Sequence, residues 1–418
     1  MSEPGRDDAP ALNERANAWL AQGRPEAAIA DYERALALLP RHPVLLANLA
    51  AALGRAGRPE AALQACEEAL RAAPDHDAAR LNRGIALLDL GRLDEARQAF
   101  AELVAARPDH AEAHWRLAWC LLLAGDFEPG WREFEWRWRR ALPPGRLRAE
   151  PRWTGAEALD GRRLLLHAEQ GLGDTLQFCR YAALAAARGA EVVLQVQPPL
   201  LPLLQDLAGA AEVIGLDREP ERPVDLQCPL LSLPLAFGTG LATIPAPRAY
   251  LAADAARVAA WAARLGPKRA PRVGLVWSGS AANTGDATRS IALATLLAAL
   301  PSGIECHSLQ MDAREGDLET LRGHSELACY GAELRDFGAT AALMMQMDAI
   351  VAVDTALAHL AAALGRPTQL LLAALPDWRW MLGRGDSPWY PTLRLQRQLS
   401  AGRWEEPLAA LRRTLATL

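Results

Sequence analysis

A fixed period of 34 residues governs the first third of the chain and limits what it can fold into. Gly23, Gly57, Gly91 and Gly125 stand 34 residues apart, as do Ala28, Ala62 and Ala96, and likewise Pro40, Pro74 and Pro108. Each proline is followed by a polar turn (Arg41-His42, Asp75-His76, Asp109-His110), and Tyr32, Cys66, Phe100 and Phe134 fill one aromatic or soft position. Residues in this register predict helix pairs. Glycine suits the turn between two helices, where a Cβ is costly; the alanine admits close approach of the second helix to the first; the proline ends the second helix. Such units bury their apolar stripe only against the next copy. The expected form is therefore a stack with a concave groove that takes an extended or helical peptide.

The pattern resembles tetratricopeptide repeats, with three full copies and a fourth that degenerates at Gly130. Behind it, Trp115, Trp119, Trp131, Trp136, Trp138 and Trp153 gather six of the 13 tryptophans into one stretch. FEPGWREFEWRWRR at 127–140 predicts a helix with tryptophan on more than one face. Such rings either stack on sugars or a partner, or cap the solenoid and join it to the next domain; a repeat's open end has to be covered, which favours the cap. The segment ALPPGRLRAEPRW, rich in proline and arginine, marks the expected boundary.

Composition narrows the function classes. The 418 residues are 51% apolar with a formal net charge of -5, too apolar for a disordered chain and too acidic for a general nucleic-acid binder. Lys268 is the only lysine, so permanent cationic contacts to a phosphate fall to arginine, helix ends or backbone N–H groups. The six cysteines form no C-x-x-C pair, which excludes the usual zinc ribbons and gives no disulfide framework. The uncharged stretch Leu226 to Pro247 carries four prolines and two glycines and makes a poor membrane span. With the polar, acidic start MSEPGRDDAP, these features predict a soluble cytoplasmic protein.

From Arg162 onward, strand-length apolar runs alternate with helical stretches, the pattern of parallel sheets. Expected strands are 163–167, 191–196, 211–216 and 224–228, then a helical linker within 246–265, then 272–277, 304–309, 349–354 and 368–372, with a closing helix over 404–418. Two consecutive doubly wound halves imply a cleft, with ligand beyond the carboxyl ends of the strands. Three loops there draw notice. EQGLGDTLQFCRY has Gly171 and Gly173 for a tight turn and close backbone approach, and Asp174 at the start of a helix, where it is either functional or an N-cap. No full G-x-G-x-x-G is present, so no nicotinamide site is expected. WSGSAANTGDATRSIAL puts Ser278 and Gly279 at a strand end with free N–H groups, and Arg289 either neutralises a phosphate or is a solvated arginine. AIVAVDTALAHLAAALGRP gives a buried strand ending at Asp354 and a helix starting at Thr355, whose N-terminus offers unpaired N–H groups and a positive dipole end. His359 follows one turn later, either in the site or facing the core.

Taken together, GLGD, the W-S-G loop with its later basic residue, and VDTALAHLAAALGRP resemble the heptosyltransferase-like enzymes of glycosyltransferase family 9, over about residues 160–398. The resemblance implies a GT-B fold of two facing Rossmann-like halves behind the α-solenoid, hence a fold class of α + α/β for the chain. With repeats in front, the chain looks like bacterial repeat-linked protein glycosyltransferases, among them flagellin O-glycosyltransferases, a layout analogous to O-GlcNAc transferase. By this resemblance Asp174 is the general base and Arg289 holds the donor phosphates. Asp354, Thr355 and His359 bind the donor phosphate and sugar. Gly171, Gly173, Ser278 and Gly279 complete the donor site, and Gln310 contacts the nucleotide base. Ala356 stands where heptosyltransferases have glycine, which argues against heptose and leaves another activated sugar, such as a nucleotide-linked nonulosonic acid.

The expected domains are a solenoid with capping helix (1–145), a first half carrying the base (146–260), a second half for the nucleotide sugar (261–398) and a C-terminal helix packing back (399–418). The expected activity is metal-independent transfer of a sugar from a nucleotide-activated donor, as co-substrate rather than cofactor, to a Ser or Thr hydroxyl of a flagellin-like protein held in the repeat groove. The sole D-x-D, Asp75-His76-Asp77, falls in a repeat turn and is not read as a metal site. The alternatives are transfer to lipopolysaccharide-core or lipid-linked saccharide, and a protein-binding scaffold with an inactive transferase domain. In the block PDWRWMLGRGDSPWYPT, Trp378, Arg379, Arg384 and Trp389 either line the cleft or pack the return to the first half, and packing is preferred.

Overall fold

The structure is a computed structural model that describes residues 8–140, 148–280, 286–311 and 313–418. The chain divides between Leu142 and Pro143 into two compact units. Part of the boundary segment, residues 141–147, and part of the W-S-G loop, residues 281–285, lie outside the described residues.

The first unit is all helical: α1 (Ala9–Ala21), α2 (Pro25–Leu38), α3 (Pro43–Arg55), α4 (Pro59–Ala72), α5 (Asp77–Asp89), α6 (Leu93–Ala106), α7 (Ala111–Ala124) and α8 (Phe127–Phe134). The four periodic glycines sit between the members of each pair with φ of 70°, 71°, 73° and 90°, a backbone state that disfavours any Cβ. The periodic alanines are buried, and Tyr32, Cys66, Phe100 and Phe134 fill the space between helices. Gly84 of α5 admits the Phe100 ring: a Cβ there would lie 2.4 Å from its Cε1. The helix expected over 127–140 ends at Phe134 and tightens into a 3₁₀ turn, Glu135–Arg139. Trp131 is buried against Phe127 and Phe134, and Trp136 stacks on His114 at 3.7 Å between ring centres, so these rings close the last repeat.

The second unit holds two parallel sheets. The first has β1 (Arg163–His167), β2 (Glu191–Val196), β3 (Ala210–Gly215) and β4 (Leu226–Pro229) in the order β3-β2-β1-β4. The second has β5 (Arg272–Val276), β6 (Glu305–Ser308), β7 (Ala328–Cys329), β8 (Ala349–Val353), β9 (Thr368–Leu372) and β10 (Leu393–Arg397) in the order β10-β9-β8-β5-β6-β7. The eight expected strands form, three with the expected bounds and five with ends moved by one or two residues. β7 and β10 were not foreseen, because one is two residues long and the other, LRLQR, is only partly buried and reads as polar. The closing helix spans Glu405–Leu415; its Leu408, Leu411 and Leu415 join Val273, Leu275 and Val351 in the core.

The halves open alike. The N–H groups of Arg163 and Arg272, the first residues of β1 and β5, donate to Asp225 (2.7 Å) and Asp348 (2.9 Å). Their buried guanidinium groups pair with Glu191 and Glu305 on the neighbouring strand. Strand order reverses between β1 and β4 and between β5 and β8, so the loops after β1, β5 and β8 are where this topology collects ligand-binding groups.

Candidate active site

After β1 the chain turns at Gly171 into α9 (Leu172–Phe178), with α10 (Tyr181–Ala187) following. Asp174 is the third residue of α9, not its N-cap, and its Oδ2 accepts the Gly171 N–H at 2.8 Å. Gly171 has an ordinary extended backbone (φ −72°), so the turn itself does not demand glycine. Gly173 serves close approach instead: a Cβ would lie 2.9 Å from His359 Cδ2 and 3.4 Å from Ala356 Cα. The first and second halves therefore touch at this glycine.

The partner element in the second half is the anchor helix, Ala356–Ala363, with Thr355 as its N-cap rather than its first residue. Thr355 does not cap with its side chain. Among the described residues, its Oγ1 and the Oγ of buried Ser278 are without a hydrogen-bond partner, although they sit at the ends of adjacent strands. A buried hydroxyl without a partner costs about 1–3 kcal/mol, so two at one sheet edge mark a place adapted to something other than stability.

Around them lie the other expected donor groups. Arg289 donates to the Asp354 carbonyl oxygen at 2.8 Å and to Asp286 at 3.3 Å. It closes over Gly279, where a Cβ would lie 2.5 Å from its Nη2. Gln310, after β6, donates to the Ser278 carbonyl at 3.1 Å and accepts its N–H at 3.4 Å. Ser278, Gly279, Arg289, Gln310, Asp354 and Thr355 thus share one edge of the second sheet. The sequence reading missed two members, Asp286 and Arg314: the buried Asp286 carboxylate takes both Arg289 and Arg314, and Arg314 reaches the Gly279 carbonyl at 3.2 Å. The i,i+3 spacing of Asp286 and Arg289 was the available signal.

His359 is buried, its Nδ1 2.8 Å from the Tyr390 hydroxyl and its ring stacked on Trp380 at 5.2 Å. Burial, with the charges of Arg379 and Arg180, holds this imidazole well below its ordinary pKa, so it is neutral. Its geometry is that of a core histidine on which Gly173 rests.

The largest addition is Arg379. It belongs to the loop after β9, is 7% exposed, and reaches Asp174 in the first half. Its other nitrogens hold Asp377 at 2.9 Å and the Gln177 amide oxygen at 2.6 Å. Trp378 and Trp389 of the same block are buried, so the preferred packing role holds for the tryptophans while Arg379 does more. Asp377 and Gln177 had no motif to betray them. Burial raises the Asp174 carboxyl above its usual range, against the Arg379 guanidinium and the Gly171 N–H. Burial and the Asp377 carboxylate push Asp354 up to about 6.

Comparisons with known proteins agree with this anatomy. Tetratricopeptide repeat profiles match residues 9–42, 53–114 and 87–129. The profile described as "Glycosyltransferase family 9 (heptosyltransferase)" matches residues 334–375, which include β8, the anchor helix and β9. Protein FlbA of Caulobacter vibrioides is 29% identical over 312 residues, 68% of this chain and 52% of that protein. The chain thus spans about half the length of the curated relative it matches. Among solved structures, the first tetratricopeptide domain of human RPAP3 is 29% identical over 26% of this chain and 86% of its own, with a TM-score of 0.26. The Sgt2 domain from Aspergillus fumigatus is 26% identical over 34% of this chain and 87% of its own, also with a TM-score of 0.26. No helix among the described residues is long and apolar enough to cross a membrane. The chain therefore carries tetratricopeptide repeats and, over residues 334–375, a segment similar to glycosyltransferase family 9.

Proposed function

We propose that the second unit transfers a sugar from a nucleotide-activated donor to an acceptor hydroxyl, without a metal ion. The single observation that carries the reading is the seam at Gly173, where the carboxylate-bearing α9 meets the N-terminus of the anchor helix. Asp174 takes the proton of the attacking hydroxyl. The departing nucleotide phosphate carries growing negative charge. Arg289, the N–H groups at the start of the anchor helix, and the hydroxyls of Ser278 and Thr355 are the groups suited to receive it. Gln310 lies beside them for the nucleotide base, and Asp354, with its raised pKa, donates or accepts according to protonation.

The acceptor in this reading is a Ser or Thr hydroxyl of a flagellin-like protein, captured by the repeats. Human RPAP3's second repeat domain is described in complex with an HSP70 peptide, and a peptide in the solenoid groove is the corresponding expectation here. Transfer to lipopolysaccharide-core or lipid-linked saccharide is the second reading.

The test uses the full chain, EDTA, purified flagellin and UDP-, GDP-, ADP- and CMP-linked sugars as probes. One nucleotide class is expected to bind wild type and Asp174→Asn alike, while only wild type adds a sugar mass to flagellin Ser/Thr peptides. Equal turnover by Asp174→Asn removes the base from the mechanism. Sugar appearing only in a lipopolysaccharide fraction selects the second reading, and binding without any transfer selects a scaffold.

A further inference from the structure

The Asp174–Arg379 contact joins residues 205 positions apart and crosses from one half to the other. Three features make it more than a surface ion pair. Arg379 is 7% exposed, and the Asp174 side chain is 18% exposed, so water screens the pair poorly. The guanidinium is immobilised: Nε on Gln177, Nη1 on Asp377, the plane 4.2 Å over the Trp378 ring. Both Asp174 oxygens are engaged, Oδ1 by Arg379 and Oδ2 by the Gly171 N–H, so the plane of the carboxylate is set from the two halves at once.

We infer that Arg379 is the positioning residue of Asp174: delivered by the second half, it supplies the counter-charge that keeps a buried carboxylate ionised and the planar fork that fixes its orientation. The inference rests on the reading of Asp174 as the base, and Arg379 acts through it without touching substrate. Among the described residues, the charged and titratable groups around the pair leave no other cation to do this. Asp377 is a carboxylate that opposes ionisation of Asp174, and His359, against Gly173, is neutral. Arg180 spends its guanidinium on the carbonyls of Gln177, Pro245 and Trp389 and on the Tyr250 hydroxyl. Remove Arg379, and Asp174 faces burial and the like charge of Asp377 with a single backbone N–H in its favour. A buried lysine would keep the charge but, as a compact ammonium, would not reproduce the planar fork that spans Asp174, Asp377 and Gln177.

The test is a titration that needs no substrate. The full chain is labelled with [¹³Cγ]aspartate, and the Asp174 resonance is assigned by its loss in Asp174→Asn. In Arg379→Gln the titration midpoint of that resonance is expected to rise by about 1–3 pH units, the range an adjacent opposite charge commands. In Arg379→Lys it is expected to stay within about half a unit of wild type while donor turnover falls and KM for the nucleotide sugar holds, since charge is kept and orientation lost. An unchanged midpoint in Arg379→Gln overturns the inference. If that variant does not fold, Arg379→Lys decides alone: a midpoint raised by a full unit or more, despite the retained charge, overturns it. Because the titration is blind to sugar transfer, a shifted midpoint alongside full turnover by Asp174→Asn retires the proposed function and leaves the electrostatic pairing intact.

Discussion

Gly173→Ala isolates the contact between the halves, because it adds one carbon at a known place. The new Cβ lies 2.9 Å from His359 Cδ2, 3.4 Å from Ala356 Cα and 3.5 Å from His359 Nε2. Relief requires the imidazole to retreat by about 0.5–1 Å to reach ordinary contact distance. It has little room: Nδ1 is tied to Tyr390, Trp380 lies across the ring, and both neighbours are buried. Overpacking of this kind costs about 1–3 kcal/mol. Replacing glycine by alanine in a helix returns at most about 1 kcal/mol, less at its first turn. The net expectation is a loss of about 0–2 kcal/mol, centred near 1, from the second unit. Gly54→Ala in α3 is the control, since a Cβ there meets nothing within 4 Å and only the propensity gain remains. Scanning calorimetry of the full chain reads both. Gly173→Ala is expected to lower the midpoint of the second unit by about 2–4 °C per kcal/mol, and Gly54→Ala to raise that of the repeats. A Gly173→Ala protein more stable than wild type, as the propensity gain alone would make it, refutes the claim that this glycine exists for close approach.

Other expectations follow from the same geometry. Arg289→Ala should weaken nucleotide-sugar binding at least tenfold by isothermal titration, leaving Asp286 to Arg314 alone; an unaltered Kd contradicts its role. His167 is buried on Gln227, and burial lowers its pKa to about 4, so the folded state binds fewer protons than the unfolded one. Its contribution is complete above about pH 6.5 and is lost as pH falls, about 3 kcal/mol by pH 4. His167→Gln should flatten that part of the urea stability profile, and an identical acid slope removes the assignment. Gly91→Ala forces a Cβ into φ 73° and should cost about 1–2 kcal/mol in repeat stability by urea unfolding.

How much of this was legible in the sequence depends on the range of the interaction. The repeats announce themselves because glycine, alanine and proline recur in local register, and each has a local cause: a left-handed turn, a tight helix crossing, a helix end. Ser278, Gly279, Asp354 and Thr355 were also within reach, since they flank strands that read as continuous apolar runs. Gly173 was singled out for close approach, but not its partner His359, because their contact spans two halves. Arg379 illustrates the limit. Its neighbours Trp378 and Trp389 signal packing, and no spacing rule links position 379 to 174. Gln177 and Asp377 are invisible for the same reason: their roles come from a guanidinium brought in by the tertiary fold.

The strand order of the second sheet carries a consequence for how the chain acquires its shape during synthesis. A repeat finds its partner helix within a few tens of residues, so the solenoid is able to condense while later residues are still unmade. β5 is central, yet its neighbour β8 begins at Ala349, more than seventy positions downstream, and the outermost strand ends only at Arg397. The nascent sheet therefore waits with its middle strand half-covered, and the arginine that aligns the carboxylate of α9 arrives 205 positions after that carboxylate. Truncation near residue 375 would leave the repeats whole and the α9 carboxylate without its guanidinium partner.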